Sequence, residues 1–159
     1  MKTSNTLFLI LSLFALILLL SGCMNNSAPQ TLSISNTKGY EGVLVSGASS
    51  LVETSGYEEI LVKGEDKANA LIDLLNGEDL VEATEKELQE KTDELKEPGS
   101  YRMLLYNQPS ANRTSEDIYI LLFYKDGTIQ VNQEGSSYFI ANPPKDLLTQ
   151  LKSDWNITF

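Results

Sequence analysis

Residues 118–124 read Ile118-Tyr119-Ile120-Leu121-Leu122-Phe123-Tyr124 and run into Lys125-Asp126-Gly127-Thr128. Successive side chains of a strand point to opposite faces, so a strand that is apolar at both parities needs cover on both faces. This stretch is therefore predicted to be the central strand of a sheet, closed by an Asp-Gly hairpin turn. Downstream, Ile129 and Val131 alternate with Gln130 and Asn132, as in a half-exposed strand. Gly135-Ser136-Ser137 predicts a second turn, and Tyr138-Phe139-Ile140-Ala141 a last strand. Upstream, residues 101–106 form the preceding strand, joined to the central one by a polar loop that contains Pro109. Asn142-Pro143-Pro144 opens a terminal helix with Leu147, Leu148 and Leu151 on one face.

The first half is read less directly. Residues 31–35 alternate weakly, and Val43-Leu44-Val45 and Leu51-Val52 predict a short hairpin inside a Gly/Ser-rich stretch, residues 39–56. Residues 57–63 read as a strand ended by Gly64. A short helix follows, with Asp66 able to cap it, a stripe of Ala70, Leu71, Leu74 and Leu75, and an Asn76-Gly77 stop. After Leu80-Val81, Thr84-Glu85-Lys86-Glu87 is a capping box that opens a helix to about Lys96, ended by Pro98-Gly99. Its apolar face is only Leu88 and Leu95. The sum is an α+β fold: a single antiparallel sheet, a meander in its C-terminal half, with helices packed on one face. On the central strand, Ile120 and Leu122 are expected to face the helices. Tyr119, Leu121 and Phe123 then lie on a second face, either closed by residues 39–56 as further core or left as a partner face.

Composition excludes several functions. The chain of 159 residues carries 22 Asp+Glu against 12 Lys+Arg, a net charge of −10, and no histidine. Without histidine there is no Ser-His or Cys-His pair and no imidazole ligand. One cysteine makes neither an internal disulfide nor a cysteine zinc site, and no metal or other cofactor is implied. So acidic a chain is a poor match for nucleic acid, whose binding rests on phosphate neutralisation, and for anionic lipid.

The N-terminus explains how such a chain could still reach a membrane. Lys2 is followed by the apolar run of residues 7–20, interrupted only by Ser12. As a helix the run spans about 21 Å, short of the roughly 30 Å hydrocarbon core but right for a signal-peptide core. It abuts Leu20-Ser21-Gly22-Cys23. The box resembles the lipobox of bacterial lipoproteins. The resemblance implies that Leu20, Ser21 and Gly22 are recognised by the signal peptidase and that Cys23 receives a diacylglycerol and becomes the first mature residue. The expected organisation is a signal peptide at 1–22, a lipidated cysteine with a flexible tether at 23–37, and one extracytoplasmic domain at 38–159. The expected place is the outer face of the cell membrane.

The second half also resembles small, uncharacterised lipoproteins of spore-forming Gram-positive bacteria, the YhfM-like kind. The residues concerned are Glu97-Pro98-Gly99-Ser100-Tyr101, the central strand, Asp126-Gly127-Thr128, and Tyr138 followed by the leucine helix. The resemblance spans residues 57–152. It implies the same α+β domain outside the cytoplasm and brings no activity with it.

Two functional readings follow. The first is a non-catalytic binding or regulatory module, held at the envelope beside an unknown protein or ligand. The alternative is a small envelope hydrolase using paired carboxylates or a Ser-Lys nucleophile, with Glu58, Glu59, Glu116, Asp117, Ser46, Ser49, Ser50 and Lys63 as the available groups. The acidic helix, with Glu82, Glu85, Glu87, Glu90, Asp93, Glu94 and Glu97, has lysines interleaved, fits a solvated face, and offers Glu87–Lys91 as an i,i+4 pair. The lipobox reading predicts that mass spectrometry of membrane-extracted protein finds a lipid-bearing peptide beginning at Cys23, and that Cys23→Ser accumulates the uncleaved precursor. Recovery of an intact Met1 from the wild-type membrane fraction counts against it.

Overall fold

In the computed structural model, residues 30–35, 39–48, 56–107 and 118–159 are described. They form one eight-stranded antiparallel sheet and three helices. The strands are β1 (Gln30–Thr31), β2 (Gly42–Ala48), β3 (Tyr57–Lys63), β4 (Asp79–Glu82), β5 (Tyr101–Tyr106), β6 (Ile118–Phe123), β7 (Ile129–Gln133) and β8 (Ser136–Ile140). The helices are α1 (Glu65–Leu75), α2 (Glu85–Glu94) and α3 (Leu147–Asp154). The order across the sheet is β1-β4-β8-β7-β6-β5-β2-β3, so the β5–β8 meander occupies its middle.

The two hairpin turns of the meander follow from their glycines. At β6–β7, Gly127 N–H donates to Tyr124 O and Tyr124 N–H to Thr128 O, with Gly127 at φ 88°. This is a three-residue loop with glycine in the left-handed position. At β7–β8, Glu134 and Gly135 both have positive φ between the paired Gln133 and Ser136, the signature of a type I′ turn.

Register sorts the side chains. Val43 and Val45 of β2, Met103 and Leu105 of β5, Leu121 and Phe123 of β6, and Ile129 and Val131 of β7 share one face and are all buried. Helix α1 covers this inner face with Ala68, Leu71, Ile72 and Leu75, which recur at the helical period. Helix α3 adds Leu147 and Leu151, and the segment after it adds Trp155, Ile157 and Phe159. Lys152 Nζ donates to Tyr101 Oη at 2.6 Å, and Tyr101 Oη in turn donates to the Phe159 carbonyl, tying that segment to β5.

Three expectations are corrected here. The central strand is turned over relative to the sequence reading. Leu121 and Phe123 face the helices at 0% and 1% exposure, whereas Ile120 points outward at 39%. The stripe of α1 is also rotated, for Leu74 is 47% exposed while Ala68 and Ile72 are fully buried. Finally, residues 42–48 do not lie over the sheet: they are one of its inner strands, between β3 and β5. Gly42 belongs there because a β-carbon at that position would collide with the Val62 carbonyl and the Tyr106 hydroxyl.

The fold also extends further toward the N-terminus than the sequence reading allows. Leu32 and Ile34, placed by that reading in the tether, are core residues at 2% and 3% exposure. Their segment is held by side-chain amides acting as strand neighbours. Asn76 accepts from Ile34 N–H at 2.7 Å and donates to Ile34 O at 3.0 Å. Gln133 accepts from Ser33 N–H at 3.0 Å and donates to Thr31 O at 3.2 Å. At α1 the cap is Gly64, with φ 130° and no side-chain bond, in place of Asp66.

Leu121→Ala is expected to cost about 2–5 kcal/mol and Ile120→Ala less than about 1 kcal/mol, measured by denaturant unfolding. A chain beginning at Lys38 should lose cooperative melting that a chain beginning at Gln30 retains.

Candidate functional site

The face of the sheet opposite α1 and α3 is where the described surface is unusual. Register aligns Leu61 of β3 with Leu44 of β2, Leu44 with Leu104 of β5, and Leu104 with Ile120 of β6. These four aliphatic side chains form one continuous stripe across four neighbouring strands. Leu61 and Ile120 are 38% and 39% exposed, and Leu44 and Leu104 between them are half-buried. The next row runs Glu59, Ser46, Arg102, Leu122, Gln130, Phe139, Val81, with Val81 55% exposed. Cross-strand neighbours on one face sit about 5 Å apart, so the stripe presents a single contiguous apolar strip.

Helix α2 stands over one corner of this outward face, and polar contacts hold it there. It buries no residue of its own. Lys91 Nζ reaches Asp126 at 2.5 Å and Glu94 at 3.0 Å and lies 4.9 Å from the centre of the Tyr124 ring. The expected Glu87–Lys91 pair is therefore not made. Glu87 is occupied by the capping box, accepting from Thr84 N–H at 2.9 Å and from the Thr84 hydroxyl at 2.6 Å. Burial works against the Lys91 charge, but its bonds to Asp126 and Glu94 outweigh burial and hold its pKa above the ordinary lysine value. Burial likewise pushes the Asp126 carboxyl up, and the bonds donated by Lys91 and Thr128 more than reverse this, leaving it below the usual carboxylate range. Lys125–Glu97 and Lys96–Asp93 add further ion pairs along the same ridge.

Two depressions flank these elements. One, of about 260 Å³, lies between Leu95, which follows α2, and Ser46, Tyr57, Glu59 and Arg102 of the outward face. The other, of about 600 Å³, lies between the β6–β7 loop and the approach to α3, with Lys125, Asp126, Lys145 and Asp146 on its rim. Asp126 and Lys125 are already paired elsewhere, with Lys91 and Glu97.

The sequence-derived site residues fall as follows. Leu20, Ser21, Gly22 and Cys23 lie outside the described residues, as do Ser49, Ser50, Glu116 and Asp117. Leu121 and Phe123 are core, and Tyr119 packs against the same cluster, so this trio is not a partner face. Tyr101, Tyr106, Tyr124 and Tyr138 are buried as well. Glu58 and Glu59 are on opposite faces by alternation. Ser46 lies opposite Glu59 whereas Lys63 lies opposite Gly42, so the two are about 13 Å apart along the ladder, too far to act together. Among the described residues no cluster of three or more His, Cys, Asp or Glu could hold a metal ion, and no helix is long and apolar enough to cross a membrane.

The exposed stripe was missed because Leu44, Leu61, Leu104 and Ile120 come from four separate strands. The available signal was parity: each sits opposite in phase to the residues its strand buries.

Two tyrosines invite a direct comparison. Among the described residues the buried Tyr119 hydroxyl has no hydrogen-bond partner. The Tyr124 hydroxyl meets Gln130 Oε1 at 2.6 Å. Burial pushes both phenols up to about 12, with Tyr40 adding to the first and Glu94 and Asp126 to the second. Tyr119→Phe should be neutral or stabilising, while Tyr124→Phe should cost about 1–2 kcal/mol because it strands the Gln130 carbonyl. A phenol raised on folding contributes stability that is complete below its unfolded pKa, near 10, and is lost as pH rises through about 12. The alkaline fall in stability should be shallower in either variant than in the wild type.

Comparison of the chain with protein-family models, with curated proteins and with solved structures finds no match.

Proposed function

We propose that this protein is a non-catalytic binding module, anchored through a diacylglyceryl group on Cys23 to the outer face of the cell membrane, and that it engages an envelope partner through the outward sheet face. The observation that carries the reading is the aliphatic stripe Leu61, Leu44, Leu104 and Ile120, exposed at both ends on a chain of net charge −10. Isolated exposed leucines are ordinary, but four in one row across adjacent strands are the kind of patch that marks a contact surface.

The first described strand, β1, begins at Gln30, seven residues after Cys23. From Cys23 to Gln30 an extended chain reaches at most about 25 Å. Two acyl chains make residence stable, at about 0.8 kcal/mol per buried CH₂, without help from basic residues. An anchored domain is then held close to the bilayer, with its β1 edge nearest and the stripe toward the far half of the sheet. Eight strands at about 4.8 Å spacing set that width at roughly 34 Å.

The test is proximity labelling on intact cells, with the full chain compared to a Leu104→Ser/Ile120→Ser variant of unchanged melting temperature. The variant should lose envelope proteins that the wild type labels. Identical labelling by the two would remove the outward face from the reading.

A further inference from the structure

Among the described residues strand β3 lies at the end of the sheet and pairs only with β2. It is long for such a position, running Tyr57–Lys63, whereas the opposite edge strand, β1, has two residues. Long edges with unmet main-chain groups are sites of strand addition unless something blunts them. Two observations fix which groups of β3 are unmet. Gly64 N–H donates to Glu41 O at 2.9 Å, continuing the ladder in which Lys63 opposes Gly42. The Val62 carbonyl points toward β2, since it is the atom that a β-carbon on Gly42 would strike. Residues 58, 60, 62 and 64 therefore turn their main-chain groups toward β2, and residues 57, 59, 61 and 63 turn theirs outward.

We propose that this edge pairs with the β3 edge of a second copy of the chain, antiparallel and in one register, with a two-fold axis at Leu61. In that register Leu61 opposes Leu61 of the partner, Glu59 opposes Lys63, and Lys63 opposes Glu59. All are residues whose main-chain groups point outward, so the junction closes about six main-chain hydrogen bonds. On the outward face the Glu59 and Lys63 side chains of the two copies form two ion pairs flanking a Leu61–Leu61 contact. Neither Glu59 nor Lys63 has an ion pair within its own chain among the described residues. On the inner face Ile60 meets Val62, both half-buried in the single chain. The neighbouring registers that keep the two faces continuous are poorer. A shift one way sets Glu59 against Leu61, and a further shift sets Glu59 against Glu59. A shift the other way sets Leu61 against Lys63 and Glu59 against Glu65. Charges on an edge ordinarily repel a second copy, but these two are of opposite sign at a spacing that an antiparallel copy matches. The net charge of −10 opposes association at long range, and salt screens it beyond about 8 Å while leaving the contact pairs in place.

The inference is independent of the envelope-partner reading, although it would extend that reading's stripe: Ile120, Leu104, Leu44 and Leu61 of one copy would run on into the same four of the other. The test uses the full chain in detergent micelles. Leu61→Cys should form a disulfide-linked dimer under mild oxidation. Glu59→Cys and Lys63→Cys alone should not, and the Glu59→Cys/Lys63→Cys pair should. The unsubstituted chain, whose one cysteine is Cys23, gives the background. In sedimentation, Glu59→Lys should weaken dimerisation at least about tenfold, and Glu59→Lys/Lys63→Glu should restore it. A wild-type chain that sediments as a monomer throughout a concentration series overturns the proposal. So does efficient crosslinking of Glu59→Cys to itself, or a charge reversal without effect. Loss of dimerisation leaves labelling of other envelope proteins free to persist, so the two readings fail separately.

Discussion

A sheet has two faces, and the described residues of this chain form helix enough to seal one. Leu71, Ile72 and Leu75 of α1 and Leu147 and Leu151 of α3 enclose the inner rows of β2, β5, β6 and β7 in one continuous cluster. Each of these residues is almost wholly withdrawn from water, and burial on this scale contributes about 1.5–3 kcal/mol per large side chain. The other features follow from how that enclosure is shared out. The loops run where they must to bring α1 and α3 to the same side. Leu32, Ile34, Trp155, Ile157 and Phe159 then fill the margins of the cluster, and the outward face receives what is left.

What is left is α2, and its attachment differs in kind. It has a capping box and a ladder of ion pairs but buries no residue. Exposed pairs such as Lys86–Glu90, at 86% and 64% side-chain exposure, contribute little. Lys91 is the exception: its side chain is 15% exposed, its ammonium bridges Asp126 and Glu94, and it lies over Tyr124. That one lysine joins the helix to the β6–β7 loop, and Tyr124 joins the loop to the sheet through Gln130. Attachment through a few polar contacts, with no residue of its own fully buried, makes α2 the described helix whose local opening costs least.

The parts of this fold legible in the sequence are those set by local chemistry. The capping box at Thr84, the Asp-Gly and Gly135 turns, and the β3 and β5 strands stand where their residues put them. The antiparallel sheet with its C-terminal meander is as the central strand implies. The parity of that strand was illegible, because Ile120 and Leu121 have equal claims to burial and only the positions of α1 and α3 decide between them. Of residues 42–48 only Val43-Leu44-Val45 reads as strand, because Gly42 and Gly47 are read as turn residues, whereas both sit where another group approaches too closely for a β-carbon. Residues 30–34 looked like tether because their partners, Asn76 and Gln133, are side chains distant in sequence. The candidate site was the least legible, since its four residues share a row only after β2, β3, β5 and β6 have paired.

The placement of β1 also has a mechanical meaning. Any pull on the chain ahead of Gln30 enters the domain at a two-residue edge strand, where Gln30 pairs with Leu80 and Thr31 with Asp79. A load applied there meets its hydrogen bonds one after another, as a zip is opened, and not all together as in shear. Next in line are the Gln133 and Asn76 amides that grip Thr31, Ser33 and Ile34, and only behind them the burial of Leu32 and Ile34. Under tension the first few residues would yield in small steps, while the inner cluster and the far half of the sheet kept their shape.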